Sequence, residues 1–228
     1  TAGADNNNLT LNGNISTESA LGISLSSADL NTINMTGNIS TAGGNSGHGL
    51  FLLRSNTNTT NITGNITTLG YASLGLWFSS SDSNTTNITG NISTSGEQSY
   101  GMYLLNSDFN TTNITGNTST AGDYAHAVYL GNADSSSTTI NGNITTAGDN
   151  AVGLFLSDSD SNPINLTGNI TTAGDDAIGL YLLSSDSNTT NLTGNITTAG
   201  SFANGLRLEL SDSNTTNLTG NITTAGDA

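Results

Sequence analysis

The dipeptide Gly-Asn returns along the chain at an almost constant interval, and this repeat limits what the chain can fold into. From Gly64 onward the interval is always 26 residues, and the two earlier intervals are 24 and 27. The glycines that follow this interval, which we call the Gly-Asn step, are Gly13, Gly37, Gly64, Gly90, Gly116, Gly142, Gly168, Gly194 and Gly220. A surface loop between strands accommodates a change of one to three residues. The repeat therefore predicts a tandem array of nearly identical units, in one domain over residues 1–228.

The chemistry of one unit indicates the secondary structure. The unit at 168–193, GNITTAGDDAIGLYLLSSDSNTTNLT, combines β-branched residues, which favour strands, with Gly, Asp, Ser and Asn, which favour turns. No segment of useful length has the apolar spacing of a helix. We therefore predict an all-β fold, a single-stranded parallel β-solenoid (β-helix) with about 26 residues per coil and roughly nine coils. Low-complexity disorder is the alternative, but disorder does not need aliphatic residues in register in every unit.

Equivalent residues of successive coils stack about 4.8 Å apart and so form columns. Four of these columns are aliphatic, and we predict that they face the interior. Two columns lie in the strand with the pattern AxGLxL and include Leu180 and Leu182. The other two flank the Gly-Asn step and include Leu192 and Ile196. Polar residues that alternate with them, such as Asn191, are expected to face outward and to form hydrogen bonds from coil to coil.

Between the first two aliphatic columns lies a residue that is aromatic in six successive units, which we call the aromatic row. Its members are Phe51, Trp77, Tyr103, Tyr129, Phe155 and Tyr181. Alternation along the strand predicts that these rings face outward. The small residues two positions earlier, from Gly49 to Gly205, are expected on the same side. Small residues bordered by rings suit close approach of another surface, so we predict a lateral interface with another molecule. Glycan stacking and simple exposure are the alternatives.

An acidic residue lies eight residues before the Gly-Asn step in all but one of the units, and Asn56 is the exception. This acidic column includes Asp82, Asp108, Asp134, Asp160, Asp186 and Asp212. Neighbouring carboxylates one coil apart repel by about 1 kcal/mol even at the dielectric of water. The column therefore predicts a Ca²⁺ site, since Ca²⁺ prefers oxygen ligands. A solvated ridge screened by salt is the alternative.

A second, partial acidic column follows the AG turn. It comprises Glu97, Asp123, Asp149, Asp175 and Asp227. No cofactor other than Ca²⁺ is expected.

The Asn of each Gly-Asn step begins an Asn-x-Ser/Thr sequence, which is a glycosylation acceptor in secreted proteins. The candidate acceptors are Asn65, Asn91, Asn117, Asn143, Asn169 and Asn195. Glycans are wider than the spacing of one coil, so glycans on every coil of one column would collide. We favour the alternative, an unmodified ladder of Asn side chains.

The charge of the chain excludes several functions. The formal net charge is −15, and Arg54 and Arg207 are the only Lys or Arg residues. Nucleic acid and anionic lipid both require a basic surface, which such a chain does not have. No apolar run approaches the roughly 20 residues of a membrane-spanning helix. We therefore expect neither nucleic-acid binding nor membrane insertion. The lack of Cys also excludes disulfides and thiolate metal sites.

Enzymatic activity is not expected. The two Arg residues lie far apart in coil number, so no basic group accompanies a cluster of acids. His48 and His126 occupy a column otherwise filled by Leu, Tyr, Val, Ile and Asn, and we interpret them as surface variants. Regular outward Thr columns also suggest ice binding, although the alternating Asn residues interrupt a clean Thr array.

The recurring pattern GNITTAGDxAxGLxL resembles the β-helical repeats of bacterial and archaeal surface proteins, including autotransporter passenger domains. The resemblance covers nearly the whole chain. It implies an exported protein located outside the cell or on the cell surface.

The two ends of the sequence also bear on function. Residues 5–17 enter the repeat just before the NTTNIT phase, and the chain stops immediately before the next AxGLxL strand. Neither end carries a polar cap, and uncapped solenoid ends favour end-to-end association. We predict a structural subunit that assembles with itself head to tail into a filament. The alternative is a repeat segment of a large adhesin or autotransporter-type passenger, and a third possibility is an ice- or glycan-binding solenoid.

Overall fold

The computed structural model describes residues 3–18 and 20–226, which form three parallel β-sheets and no α-helix. Each coil contributes one strand to each sheet. The predicted all-β parallel solenoid is confirmed. Asp227, in the second acidic column, lies outside the described residues.

Sheet 1 contains the TTNIT-type segment of nine coils. Its strands are β1 (Asn8–Asn12), β4 (Thr32–Thr36), β7 (Thr59–Thr63), β10 (Thr85–Thr89), β13 (Thr111–Thr115), β16 (Ser137–Asn141), β19 (Pro163–Thr167), β22 (Thr189–Thr193) and β25 (Thr215–Thr219). Neighbouring strands pair in register, so that Asn87 of β10 lies beside Asn61 and Asn113.

Sheet 2 contains the short strand that follows the Gly-Asn step. Its strands are β2 (Ile15–Thr17), β5 (Ile39–Thr41), β8 (Ile66–Thr68), β11 (Ile92–Thr94), β14 (Thr118–Thr120), β17 (Ile144–Thr146), β20 (Ile170–Thr172), β23 (Ile196–Thr198) and β26 (Ile222–Thr224).

Sheet 3 contains the AxGLxL segment and has eight strands, so the described residues form eight complete coils and two strands of a further coil. The strands are β3 (Ile23–Ser26), β6 (Leu50–Leu53), β9 (Leu76–Ser79), β12 (Met102–Leu105), β15 (Val128–Gly131), β18 (Val152–Ser157), β21 (Ile178–Leu183) and β24 (Asn204–Glu209).

The predicted aliphatic columns fill the space between the three sheets. Leu180 and Leu182 of sheet 3 and Leu192 and Ile196 beside the Gly-Asn step are 0–2 % exposed. In the last described coil, Leu206 and Leu218 of these columns are half-buried, and the other two members are exposed because no described coil covers them. Leu208 is 50 % exposed and Ile222 is 45 % exposed.

The Gly of the Gly-Asn step forms the corner between sheets 1 and 2. Gly168 has a φ of +148°, and a Cβ added there would collide with the carbonyl oxygen of Gly142 in the preceding coil. Only glycine combines this backbone conformation with such a close approach. The corner geometry thus explains why the dipeptide recurs at the period of the coil.

The small residues before the aromatic row face the interior, so their predicted place in an outward strip was wrong. Gly49, Gly153 and Gly205 are buried. A Cβ added to Gly153 would lie 2.5 Å from Cγ2 of Ile170 and 2.7 Å from the carbonyl oxygen of Gly179. Gly49 lies at a bend directly before β6, and both the glycine and the leucine that follows it are buried, so strict alternation does not hold at this position. The small residues therefore allow close packing within the solenoid.

Candidate functional site

The aromatic row lies half-buried on the outer face of sheet 3, and its rings contact one another in two groups, Phe51 with Trp77 and then Tyr103 through Tyr181. The ring centroids of Phe155 and Tyr181 are 4.8 Å apart with planes 1° apart, and those of Tyr129 and Phe155 are 4.6 Å apart. Each interior ring of such a stack covers the face of its neighbour. The row therefore presents mainly ring edges to solvent, which does not favour stacking of a sugar on a ring face. Lateral contact through the row stays a prediction.

A groove lies beside one end of the aromatic row and has a volume of about 540 Å³. Phe155 and Tyr181 of the row and loop residues such as Tyr124 and Phe202 line it. Arg207 also lines the groove, where it forms a 2.6 Å ion pair with Glu209 and lies 5.0 Å from the ring centre of Tyr181. The guanidinium group of Arg207 is thus already paired with side chains of its own chain.

His126 lines this groove and His48 lines a separate, smaller pocket beside Trp77, and the interpretation of His48 as a surface variant was wrong. His48 is only 3 % exposed and its ring lies 4.7 Å from that of Trp77. His126 is half-buried, and its ring stacks on Tyr100 at 5.0 Å. Sequence reasoning missed this environment because the ring of Trp77, which lies against His48, comes from the next coil.

Each imidazole accepts a backbone hydrogen bond from the next coil. Nδ1 of His48 accepts the N–H of Leu74, and Nδ1 of His126 accepts the N–H of Val152, both at 3.0 Å. The Nδ1 atoms must therefore be unprotonated. Burial favours the same state, because it lowers the pKa of each His from 6.5 to about 4.

The acidic column lies at the corner between sheets 3 and 1, where each carboxylate accepts a hydrogen bond from the following coil. The N–H of Asp160 donates to Oδ1 of Asp134 at 2.7 Å, and the N–H of Asp186 donates to Oδ1 of Asp160 at 2.6 Å. Within residues 3–18 and 20–226, no group of three or more His, Asp or Glu side chains is arranged to hold a metal ion. Backbone bonding gives the column a structural role without Ca²⁺, and the Ca²⁺ site stays a prediction.

We expect replacement of Asp160 to separate these roles. Asn56 already performs the backbone role without a charge, since its Oδ1 accepts the N–H of Asp82 at 2.7 Å. Asp160→Asn should therefore preserve the thermal midpoint or raise it, because it removes repulsion of about 1 kcal/mol from each neighbouring carboxylate. Asp160→Ala should cost about 1 kcal/mol, because the N–H of Asp186 loses its acceptor.

Melting curves in Ca²⁺, in chelator and in salt of equal ionic strength test both variants. If a Ca²⁺ ion bridges the carboxylates, the thermal midpoint of Asp160→Asn in Ca²⁺ should fall below that of the parent protein. It would also make chelator lower the midpoint of the parent protein more than salt does.

The candidate glycosylation residues form the predicted Asn ladder at the corner between sheets 1 and 2. All six are exposed. In each interior coil, the backbone N–H of one Asn donates to Oδ1 of the Asn in the preceding coil, as Asn169 does to Asn143 at 2.9 Å. This bond does not use Nδ2, the atom that glycosylation modifies. The ladder is confirmed, and glycosylation stays a prediction.

Two further ladders are buried at the corner between sheets 3 and 1, and sequence reasoning read their residues only as turn formers. The N–H of Asn162 donates to Oδ1 of Asn188 at 2.8 Å, and the N–H of Ser159 donates to Oγ of Ser185 at 3.1 Å. The four residues are 0–1 % exposed. The signal was present in the fixed spacing of the Ser and Asn of SDSN, which turn propensity alone does not require.

Comparison of the chain with family models, with curated proteins and with solved structures gave no match. In the part of the chain that the structure describes, no helix is long and apolar enough to cross a membrane. The geometry defines the class of the protein as a parallel β-solenoid built from tandem repeats.

Proposed function

We propose that this protein is an extracellular structural subunit that forms filaments by head-to-tail stacking of solenoids. The observation that carries the proposal is the complementarity of the two edges of the described solenoid. The backbone N–H groups at the corners bond to side-chain oxygens of a neighbouring coil at the same positions in coil after coil, as Asp160 and Asn169 do, so one edge carries the partners of the other.

At the edge of the first described coil, the pattern leaves the N–H groups of Asp5 and Asn14 pointing away from the following coil. In every interior coil the equivalent groups donate to Oδ1 atoms of the preceding coil, as Asp160 and Asn169 do. At the opposite edge, Asp212 and Asn221 carry the Oδ1 atoms that a following coil would use. A second copy would therefore continue both ladders without any change in chemistry.

Apolar surface at both edges supports the same contact. Leu9 in the first described coil is 43 % exposed, and it lines an open cavity of about 220 Å³ with Leu11 and Ile15. Leu208 and Ile222 at the other edge are 50 % and 45 % exposed. Stacking would cover these side chains and pair the strand edges by β-strand addition. Such a contact does not close on itself, so it generates an open fibre.

The extracellular location rests on the resemblance of the GNITTAGDxAxGLxL repeats to those of bacterial and archaeal surface proteins. The low number of cationic residues also leaves few sites for trypsin-type proteases outside a cell. Fractionation of cells that produce the protein, with protease added to intact cells, tests the location. Protein recovered only from the interior would contradict it.

Electron microscopy of the purified protein tests assembly. A single solenoid of nine coils is roughly 40 Å long, whereas the proposal expects fibres many times that length. The double variant Leu208→Glu, Ile222→Glu should remain as single rods, because the junction would bury both charges. Leu210→Glu is the matched control, because Leu210 is 79 % exposed at a corner of the same coil, outside the interior columns.

Single rods of the parent protein at high concentration would overturn the filament and favour a repeat segment of a longer surface protein. Equal loss of fibres in Leu210→Glu and in the double variant would show that the junction does not involve the apolar edge.

A further inference from the structure

The outer face of sheet 1 carries no ionisable group, although the chain has a net charge of −15. We define this Thr/Asn face as the first, third and fifth residues of each sheet 1 strand. In β10 these residues are Thr85, Asn87 and Thr89, and the two residues between them are buried. Pro163 is the only member that is not Thr, Asn or Ser.

The centre of the Thr/Asn face is already ordered by side-chain hydrogen bonds. Nδ2 of Asn87 donates to Oδ1 of Asn61 at 2.8 Å, and Nδ2 of Asn113 donates to Oδ1 of Asn87 at 2.9 Å. The ladder resumes after Thr139, where Nδ2 of Asn191 donates to Oδ1 of Asn165 at 3.0 Å. These side chains have already lost conformational freedom, so a partner pays little further entropy to bind them.

The acidic groups lie away from the centre of this face. Among the described strands, only β24 contains an acidic residue, Glu209, and the other described Asp and Glu residues lie in loops. The acidic column borders sheet 1 on one side, with Asp82 three residues before Thr85, and the Gly-Asn corner on the other side is uncharged. Sheet 3 has an acidic column at each of its corners. The outer face of sheet 2 is also uncharged, but its strands have three residues and those of sheet 1 have five, so the Thr/Asn face is the larger uncharged surface.

We propose that the Thr/Asn face is a lateral interface with a second copy of this chain. Nine strands of five residues cover about 40 Å by 16 Å, so two such faces would bury about 1,300 Å² in total. This area is within the range of stable interfaces. In-register strands with Asn ladders also pack face to face in dry, interdigitated contacts.

The contact joins the same face of both copies, so it closes after two solenoids. It does not require head-to-tail stacking, and it rests on the proposed function only in taking another copy as the partner. Where both contacts form, the fibre is two solenoids wide. Failure of head-to-tail stacking would shorten the fibres, whereas failure of the lateral contact would halve their width.

The experiment compares the parent protein with a variant that places charge on the face. Asn87→Asp with Asn191→Asp adds two negative charges at the centre of the interface. The matched control is Asn106→Asp with Asn132→Asp, which makes the same change at exposed corner positions in the column where Asp158 is native. All of these proteins also carry Leu208→Glu and Ile222→Glu, so that head-to-tail fibres do not form. Sedimentation velocity over a range of concentrations then gives the dissociation constant of the lateral pair.

We expect the face variant to raise the dissociation constant at least tenfold and the control variant to leave it unchanged. Melting curves establish that both variants fold. If the Asn ladder variant does not fold, Thr115→Glu with Thr193→Glu adds charge at exposed positions of the face outside the ladder.

Three results would overturn the proposal. The first is a parent protein that remains single at high concentration. The second is loss of pairing in Trp77→Ser with Tyr103→Ser while charge on the Thr/Asn face has no effect, which would assign the contact to the aromatic row. The third is a parent protein that remains single and inhibits the growth of ice crystals, which would assign the face to ice.

Discussion

Leu104→Asp should lower the free energy of unfolding by more than 4 kcal/mol, because it buries an unpaired carboxylate. Leu104 is fully buried in β12 and lies in register between Phe78 and Leu130. Each coil contacts mainly its two neighbours, so the damage should spread to the coils on both sides. The thermal midpoint, followed by circular dichroism, should fall by about 10 °C or more.

Leu105→Asp is the matched control for this variant. It makes the same substitution one residue later, on the outward face of the same strand, beside Ser79 and Gly131. A half-exposed carboxylate keeps its contact with water there, so the expected loss is about 1 kcal/mol or less. Hydrogen exchange should show faster opening of β9, β12 and β15 only in Leu104→Asp. Equal losses in the two variants would contradict the inward assignment of the column.

Acid should destabilise the folded protein through His48 and His126. Burial lowers the pKa of each imidazole in the folded state from 6.5 to about 4. Between these two values the unfolded state binds more protons than the folded state. The stabilisation is therefore complete above about pH 6.5 and is lost progressively as the pH falls toward 4.

The hydrogen bonds explain why protonation is unfavourable. In the neutral imidazole, Nδ1 accepts a hydrogen bond from the N–H of Leu74 or Val152. Once protonated, Nδ1 is itself a donor, so two N–H groups face each other and the hydrogen bond is lost. We expect a loss of about 1 to 2 kcal/mol for each His between pH 8 and pH 5. Denaturant unfolding at a series of pH values measures this loss.

The control for the pH effect is His48→Asn with His126→Asn. Asn is native in the same column at Asn204, and its Oδ1 can accept the same N–H without titrating. The double variant should therefore have nearly constant stability from pH 8 to pH 5. Retention of the full pH dependence in this variant would assign it to other groups.

The fold could be predicted from the sequence because a solenoid is governed by local rules that repeat. Strand chemistry, turn residues and aliphatic columns all recur at 26 residues, so one unit of the sequence contains most of the information about the coil. The inward position of Leu104 follows from this register alone. The outward Asn ladder follows as well, since alternation along a strand places Asn87 opposite Ile88.

The environments of side chains near bends could not be predicted in the same way. Alternation fails at Gly153, where the glycine and the following leucine are both buried and the glycine packs against Ile170 of sheet 2. Sequence reasoning also assigned the acidic column only to cations or solvent, whereas each carboxylate is an acceptor for the next coil, as Asp160 is for Asp186. These bonds join residues one coil apart, so they depend on the path of the backbone around the corner.

The sequence by itself therefore determined the all-β class, the length of the coil and the inward aliphatic columns, because hydrophobic burial and strand periodicity act on every unit in the same way. The tertiary structure alone decided which polar side chains satisfy the backbone and which remain free for a partner. It placed His48 as a buried acceptor for the next coil and made Asp160 an acceptor for the backbone of Asp186. Those outcomes depend on how the corners of successive coils stack, which is a property of the assembled solenoid.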